Sequence, residues 1–322
     1  MKVSVLTPTY NRATQLYKLY ESLKMNLKNE VEIEWLIMDD GSKDNTKETI
    51  NKFINENALK IKYFFQENQG KMKALNNLVP EATGEFIIEC DSDDYFTDAA
   101  FKYIKEKCIV DDEIYAYAFL KYNQDNCNIG RLFMADGMEN TMFDLYFKQG
   151  EDGEKALVFN TEIRKKYFHQ LEENEKFVTE ARLYHKMDSK YKIKCYNQPI
   201  MVCKYHKDGY TKNIKEIFKK NPKGYYAYFK EIFEHNMQNV PLKKRLYVIK
   251  HYILFSYLSN AKSPIKYVKG NLNKFLYIIL YLPGKFFSKK FWQEGQLWYN
   301  INSYGISLKW RLKCKKQNIK LL

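Results

Sequence analysis

Four short apolar runs, each ending in a polar cluster, follow one another within the first hundred residues, and few folds can use that pattern. Val3-Ser-Val-Leu-Thr7 stops at Pro8-Thr-Tyr-Asn-Arg12, and Glu34-Trp-Leu-Ile-Met38 stops at Asp39-Asp-Gly-Ser42. Ile61–Phe65 stops before Asn68-Gln-Gly-Lys71, and Glu85-Phe-Ile-Ile-Glu-Cys90 stops at Asp91-Ser-Asp-Asp94. Helical spacing fills the gaps: Leu16, Leu19, Leu23 and Leu27, then Ile50, Phe53 and Ile54, then Ala74–Val79. Ser42 or Asp44 is placed to cap the second of these helices. Strands alternating with helices build a parallel sheet whose ligand crevice lies outside the carboxyl ends of its strands. The polar clusters are therefore expected along one crevice, with Pro8 ending the first strand.

The pattern is less regular further on. Tyr115–Leu120 and Lys155–Asn160 read as strands, Asn123–Glu139 as turns and Glu180–Met187 as a helix. Ile193–Tyr205 reads as strand–turn–strand around Pro199. Beyond Thr211 the spacing predicts helices near Ile214–Phe218, Tyr225–Phe233, Leu242–Leu258, Ile265–Leu282 and Ile306–Cys314. Pro222, Pro241, Pro264 and Pro283-Gly284 are expected to break them. The chain thus divides into an α/β domain, residues 1–211, and a helical region, residues 212–322.

Asp91-Ser-Asp93-Asp94 carries the most pointed chemistry. Three carboxylates in four residues repel one another unless a cation offsets them. A hard divalent ion, Mn²⁺ or Mg²⁺, accepts one or two protein carboxylates and completes its shell with phosphate oxygens and water. The alternative is a solvated loop that caps the next helix. Asp39-Asp40-Gly-Ser is weaker alone, because any strand-to-helix turn favours these residues. A carboxylate there can accept the N3–H of a uracil, Tyr10 offers a flat surface to a base, and Arg12 could face phosphate.

Taken in order, strand–PTYNR, strand–DDGS, strand–NQGK and strand–DSDD resemble glycosyltransferase family 2, the inverting enzymes with the Rossmann-like GT-A fold. The resemblance covers roughly residues 2–211 and is strongest in the first hundred. It implies that Pro8, Tyr10 and Asp40 hold the uracil of a UDP-sugar, and that Asp91 lies near the ribose and metal. Asp93 is implied as the ligand of a metal bridging both phosphates, the DXD-type arrangement. Lys71 would supply positive charge beside the diphosphate, in a segment where relatives often carry Arg at the position of Leu75. The family commonly places its general base in a Glu-Asp pair at the start of a helix. Glu180 matches that base, whereas Ala181 stands where many relatives have the Asp, which puts the strength of catalysis in doubt. His206, Asp208 and Tyr210 are weaker candidates for the pocket rim.

Charge sets the C-terminal region apart. Residues 212–322 contain 23 Lys+Arg against 4 Asp+Glu, while residues 1–211 contain 30 against 35. A basic region of this kind seeks an anionic surface. Lys243-Lys244 and Lys289-Lys290, with Phe286, Phe287, Phe291, Trp292 and Trp298, suit the interface of a membrane. Helix packing or homo-oligomerisation would use the same aromatics, and nucleic-acid binding would use the same charge. No nucleic-acid motif is present. The six cysteines are scattered without a CxxC pair, which fits reduced thiols. Only Val3–Leu6 is apolar before Pro8, short of the about 7–15 residues of a signal-peptide core. No run reaches the roughly 18 apolar residues of a spanning helix. The expectation is a cytoplasmic protein, peripheral at the inner face of the cell membrane, passing a sugar to a glycan or lipid-linked acceptor. Its rivals are a GT-A scaffold that binds nucleotide with little turnover, supported by Ala181, and a membrane- or nucleic-acid-binding module with an incidental body.

Overall fold

The computed structural model describes residues 1–204 and 213–294, with side chains in the last helix only to residue 289. The first half alternates as the spacing predicts: β1 (Lys2–Thr9), α1 (Ala13–Asn26), β2 (Glu32–Asp39), α2 (Thr46–Glu56), β3 (Lys60–Phe65), α3 (Lys71–Leu78) and β4 (Phe86–Glu89). Then come β5 (Tyr95–Phe96), α4 (Ala100–Lys107), β6 (Ile114–Tyr122), β7 (Met138–Asn140), β8 (Lys155–Asn160), α5 (Thr161–Arg164), α6 (Glu180–Asp188) and β9 (Lys192–Val202).

These strands form one sheet in the order β3-β2-β1-β4-β8-β6-β9-β5, with β7 also on β9. The first four are parallel, as expected. The sheet then turns mixed, because β8 runs antiparallel to both β4 and β6. Alternate residues serve two cores. Val3, Val5, Trp35 and Ile37 face α1, α2 and α4, while Leu6, Leu36 and Met38 face α3 and α6. Two buried faces explain why these strands read as continuous apolar runs.

Two expectations about proline are corrected. β1 continues through Pro8 to Thr9. Its pairing with β4 covers only Val3–Leu6, so Pro8 lies where β2 is its single strand neighbour, and a missing donor is tolerated there. Ile193–Tyr205 is not strand–turn–strand, since β9 is one strand up to Val202. Its register on β6 slips instead, from Phe119↔Tyr196 to Leu120↔Pro199 to Lys121↔Met201. The displaced Asn197 accepts from the Phe133 N–H at 2.8 Å.

At the amino-terminal end of the sheet Glu34 is fully buried. Its carboxylate accepts from Ser4 Oγ, from Thr83 N at 2.6 Å and from Thr83 Oγ1 at 2.7 Å, with Lys2 Nζ at 3.2 Å. Burial would raise its pKa, but these partners outweigh burial and hold it at about 2.

The C-terminal helices are α7 (Ile214–Lys220), α8 (Pro222–Ile232), α9 (Leu242–Leu258) and α10 (Asn271–Glu294). Pro264–Tyr267 is a separate short turn of 3₁₀-helix, and α10 starts later than expected. Pro283-Gly284 lies inside α10 rather than ending it. Gly284 is a close-packing position: a Cβ there would sit 2.7 Å from Ile253 Cγ2 of α9. Phe218, Tyr225, Phe229, Phe233, Tyr252 and Phe255 form a third core, so much of the aromatic content is internal packing. That core also takes in Phe143 and Phe147 from the α/β half. The expected helix Ile306–Cys314, His206, Asp208, Tyr210 and Trp298 lie outside the described residues. Among the described residues no helix is long and apolar enough to cross a membrane.

Candidate active site

The loops at the carboxyl edge are tied together before any ligand arrives. Asn11, at φ +52°, accepts from Lys43 N at 2.8 Å, and its own N–H donates to Ser42 Oγ at 2.9 Å. The N-cap residue of α2 is Asn45, not Ser42 or Asp44: Asp44 accepts from Ala13 N and from Thr46 N just ahead of the helix, and Ser42 serves Asn11. Asp39 accepts from Ser42 N at 2.8 Å and from Tyr63 OH at 3.0 Å. Asp40 is buried, and both its oxygens are engaged: Gln66 Nε2 at 2.7 Å and Gln69 N at 2.8 Å on one, Gly70 N at 2.8 Å on the other. In this structure Asp40 shapes the loop leading into α3. Pro8 is buried in β1, Arg12 is half-buried at the mouth of α1, and Tyr10 stands 45% exposed beside them.

Gly70 marks a close approach. Its φ is +94°, and a Cβ there would meet the Lys176 carbonyl oxygen at 2.5 Å. Lys176 Nζ in turn donates to Asn68 O at 2.8 Å. The 66–70 loop and the segment before α6 are thereby pressed together, and this contact delivers Glu180 to the crevice.

Lys71, the first residue of α3, joins the two sides. Its Nζ lies 2.6 Å from Asp91 Oδ1 and 2.8 Å from Glu180 Oε1. Three residues from three separate segments thus meet at one ammonium. Burial disfavours the charged lysine, but Asp91 and Glu180 outweigh it, and the Lys71 pKa rises well above its ordinary value. For Glu180, burial acts upward while Lys71 acts downward more strongly, leaving a pKa of about 2. Glu180 also opens α6, where the helix dipole favours a carboxylate. Asp93 sits half-buried two residues beyond Asp91. Asp94 points elsewhere. It is buried, with Lys121 Nζ at 3.3 Å and Cys203 Sγ at 3.1 Å, and Lys121 also faces Glu154 at 3.7 Å.

Three supports of the site carry little signal in the sequence. His169 is 4% exposed, and neither ring nitrogen has a hydrogen-bond partner. Burial, then Arg164, press its pKa to about 3, so the ring is neutral. The backbone of His169 exchanges two hydrogen bonds of 2.8 Å with the Asn76 side chain, which fixes it against α3. Second, Arg182 of α6 makes a forked pair with Glu231 of α8, at 2.9 and 2.8 Å. Third, Asn221 Oδ1 accepts from Lys176 N and Phe177 N, while Glu175 accepts from Lys223 N and Gly224 N. The helix that opens with Glu180 is therefore clasped by the C-terminal layer. Ala181 packs on that same layer's core, so position 181 faces the helices through a methyl group.

Among the described residues no three His, Cys, Asp or Glu side chains converge into a closed cation cage. The donor chemistry of Asp91 and Asp93, two carboxylates two residues apart, fits a hard divalent ion that takes the rest of its shell from phosphate and water.

The comparisons agree with the geometry. The model of Glycosyl transferase family 2 matches residues 4–177, more than half of the chain. An uncharacterised glycosyltransferase of Mycoplasma genitalium is 43% identical over 101 residues, 30% of this chain and 34% of that protein. A GalNAc(5)-diNAcBac-PP-undecaprenol beta-1,3-glucosyltransferase of Campylobacter jejuni is 32% identical over 146 residues, 43% of this chain and 44% of that one. These alignments span less than half the length of either relative. The crystal structure of Staphylococcus aureus TarS 1-349 in complex with UDP-GlcNAc superposes with a TM-score of 0.57 at 17% identity, covering 93% of both chains. At that identity the likeness establishes the fold, GT-A with a helical C-terminal layer. The chain belongs to glycosyl transferase family 2.

Proposed function

We propose that this protein is an inverting, metal-dependent glycosyltransferase that moves a sugar from a UDP-sugar to a hydroxyl group of a bacterial surface glycan, carried on a lipid. The observation that supports it most is Lys71 bridging Asp91 and Glu180 at the carboxyl edge of a family 2 sheet. Relatives point to the donor and acceptor classes. TarS was solved with UDP-GlcNAc, and the Campylobacter enzyme is named for an undecaprenol-linked substrate. A lipid-linked acceptor would place the work at the inner face of the cell membrane, with the C-terminal helices towards the lipid.

In this proposal Pro8, Tyr10 and Arg12 flank the nucleoside, and Asp40 acts by holding the 66–70 loop in shape. Asp91 and Asp93 would hold Mn²⁺ or Mg²⁺, which supplies positive charge to the departing diphosphate. Lys71 carries the coupling. A bound diphosphate competes for its ammonium, and as Lys71 turns to the phosphate Glu180 loses the partner that keeps its pKa at about 2. The freed carboxylate takes the proton from the acceptor hydroxyl. The acceptor oxygen forms its bond to the anomeric carbon as the bond to UDP breaks, on the opposite face.

Incubation of the full chain with Mn²⁺ and a panel of UDP- and GDP-sugars, reading released nucleotide, tests the proposal. UDP release from one donor, lost with EDTA and in Asp93→Ala, is the expected result. No nucleotide binding under any condition overturns it. The salt-bridged state of Glu180 also favours a second reading, a scaffold that binds nucleotide with little turnover. Metal-dependent UDP binding without release, even with lipid-linked acceptor present, would select that one.

A further inference from the structure

Helix α10 carries apolar side chains on its outer face as well as on the face it buries. The residues it turns inward include Asn273, Tyr277, Gly284 and Ser288, all buried, with Leu276, Leu280 and Tyr281 packed on the same core. Outward it presents Leu272, Phe275, Ile278, Ile279, Leu282 and Phe286, between 49% and 75% exposed. Their spacing of three and four residues keeps them on one face over about 21 Å of helix. A soluble helix buries such a stripe against its own core. Here the opposite face of α10 already meets that core, with Tyr277 beside Tyr252 and Gly284 against Ile253 of α9. A contiguous apolar stripe left outside marks a surface that meets something apolar.

The surrounding charge identifies that partner. Residues 242–293 hold eleven Lys+Arg and no Asp or Glu. Lys274, Lys285 and Lys289 are exposed on the same helix as the stripe, and Lys262, Lys266 and Lys269 are exposed on the preceding turn. Two such faces would repel each other, which disfavours a second copy of the chain. Residues 295–322 add six Lys+Arg and no acid, so they are no better matched to it. Nucleic acid would satisfy the charge but not a stripe of Leu and Ile. An anionic bilayer satisfies both: acyl chains accept the stripe, and headgroups accept the ammonium groups at its border. We infer that the outer face of α10, from Leu272 to Phe286, lies in the interface of an anionic phospholipid membrane, with its axis along the surface. This deepens the proposed use of a lipid-linked acceptor and rests on that reading for its purpose, though not for its physical grounds.

The test is co-sedimentation of the full chain with phosphatidylcholine vesicles, with and without phosphatidylglycerol, beside light scattering for mass and UDP release for activity. The wild type should bind the phosphatidylglycerol vesicles and be monomeric without lipid. Phe275→Asp with Ile279→Asp should weaken vesicle binding at least about tenfold, with unchanged thermal midpoint and donor hydrolysis, since both side chains face outward. Lys274→Glu with Lys285→Glu touches no packing and should weaken binding only to the anionic vesicles, by roughly tenfold. Failure of the wild type to bind either vesicle overturns the inference, and so does equal binding by the apolar-face variant. A dimer that Phe275→Asp dissociates would reassign the stripe to a second copy, and binding to an oligonucleotide instead of vesicles would reassign the charge. Vesicle binding by a protein that binds no nucleotide under any condition would leave this surface standing and sink the enzymatic proposal.

Discussion

The two ends of the sheet both hold paired carboxylates, and they hold them in different ways. At the amino-terminal end Glu34 is locked by neutral donors that cannot leave, the Thr83 N–H and the Ser4 and Thr83 hydroxyls, with Lys2 at its rim. At the carboxyl end Asp91 and Glu180 share one ammonium on a flexible four-carbon stem. The first arrangement is satisfied permanently. The second rests on one cation, and in the proposed mechanism it is given up when a diphosphate competes for Lys71. One fold thus uses the same residue type as a rivet at one end and as a contact to be released at the other.

The largest effect expected from testing this contrast is at the releasable end. Glu180→Gln should lower sugar transfer by roughly 10²–10⁴-fold; transfer within tenfold of wild type would exclude Glu180 as base. Glu34→Gln should do the opposite, lowering stability by on the order of 2–3 kcal/mol with UDP release at 25 °C unchanged. The sign of its pH dependence follows from a folded pKa of about 2, below the ordinary 4.5. That stabilisation is complete above about pH 4.5 and is lost as pH falls towards 2, so denaturant midpoints should drop over that window in the wild type and less in the variant. Lys71→Met should cost transfer roughly tenfold to a hundredfold and move the acid limb of the pH–rate profile upward, because Glu180 loses the charge that depresses it; an unmoved limb would break the coupling of lysine to base. The smallest effect belongs to the clasp. Arg182→Lys keeps the charge without the fork and should cost about 1 kcal/mol of stability, with a few-fold loss of turnover and unchanged UDP affinity.

Much of the first half was legible because its elements obey local rules. The apolar runs became β1 to β4 in parallel register, and the polar clusters fell at their carboxyl ends. What failed was local reasoning about proline. Pro8 and Pro283 sit inside regular elements: Pro8 lies beyond the stretch of β1 that pairs with β4, whereas Pro283 leaves the Ile279 carbonyl of α10 without its helical donor on the exposed side of the helix. The charges that share Lys71 were also readable as candidates, but their meeting was not, since Asp91 and Glu180 lie 89 residues apart in sequence. His169, Arg182 and Asn221 were invisible for a related reason. Each has ordinary chemistry, and only tertiary neighbours make it a support. The use of Asp40 by backbone N–H groups likewise depends on where the 66–70 chain passes.

The clasp between α6 and α8 bears on anyone who would rebuild this protein as parts. A cut at the expected boundary near residue 211 would strand Glu175, Arg182 and the backbone of Lys176 without their partners, on the segment that delivers Glu180. A chimera should therefore carry α7 and α8 with the catalytic half, and α9 with them, because Tyr225 and Phe229 of α8 stack on Phe255 of α9. Recombination between relatives would be expected to keep the same helices together.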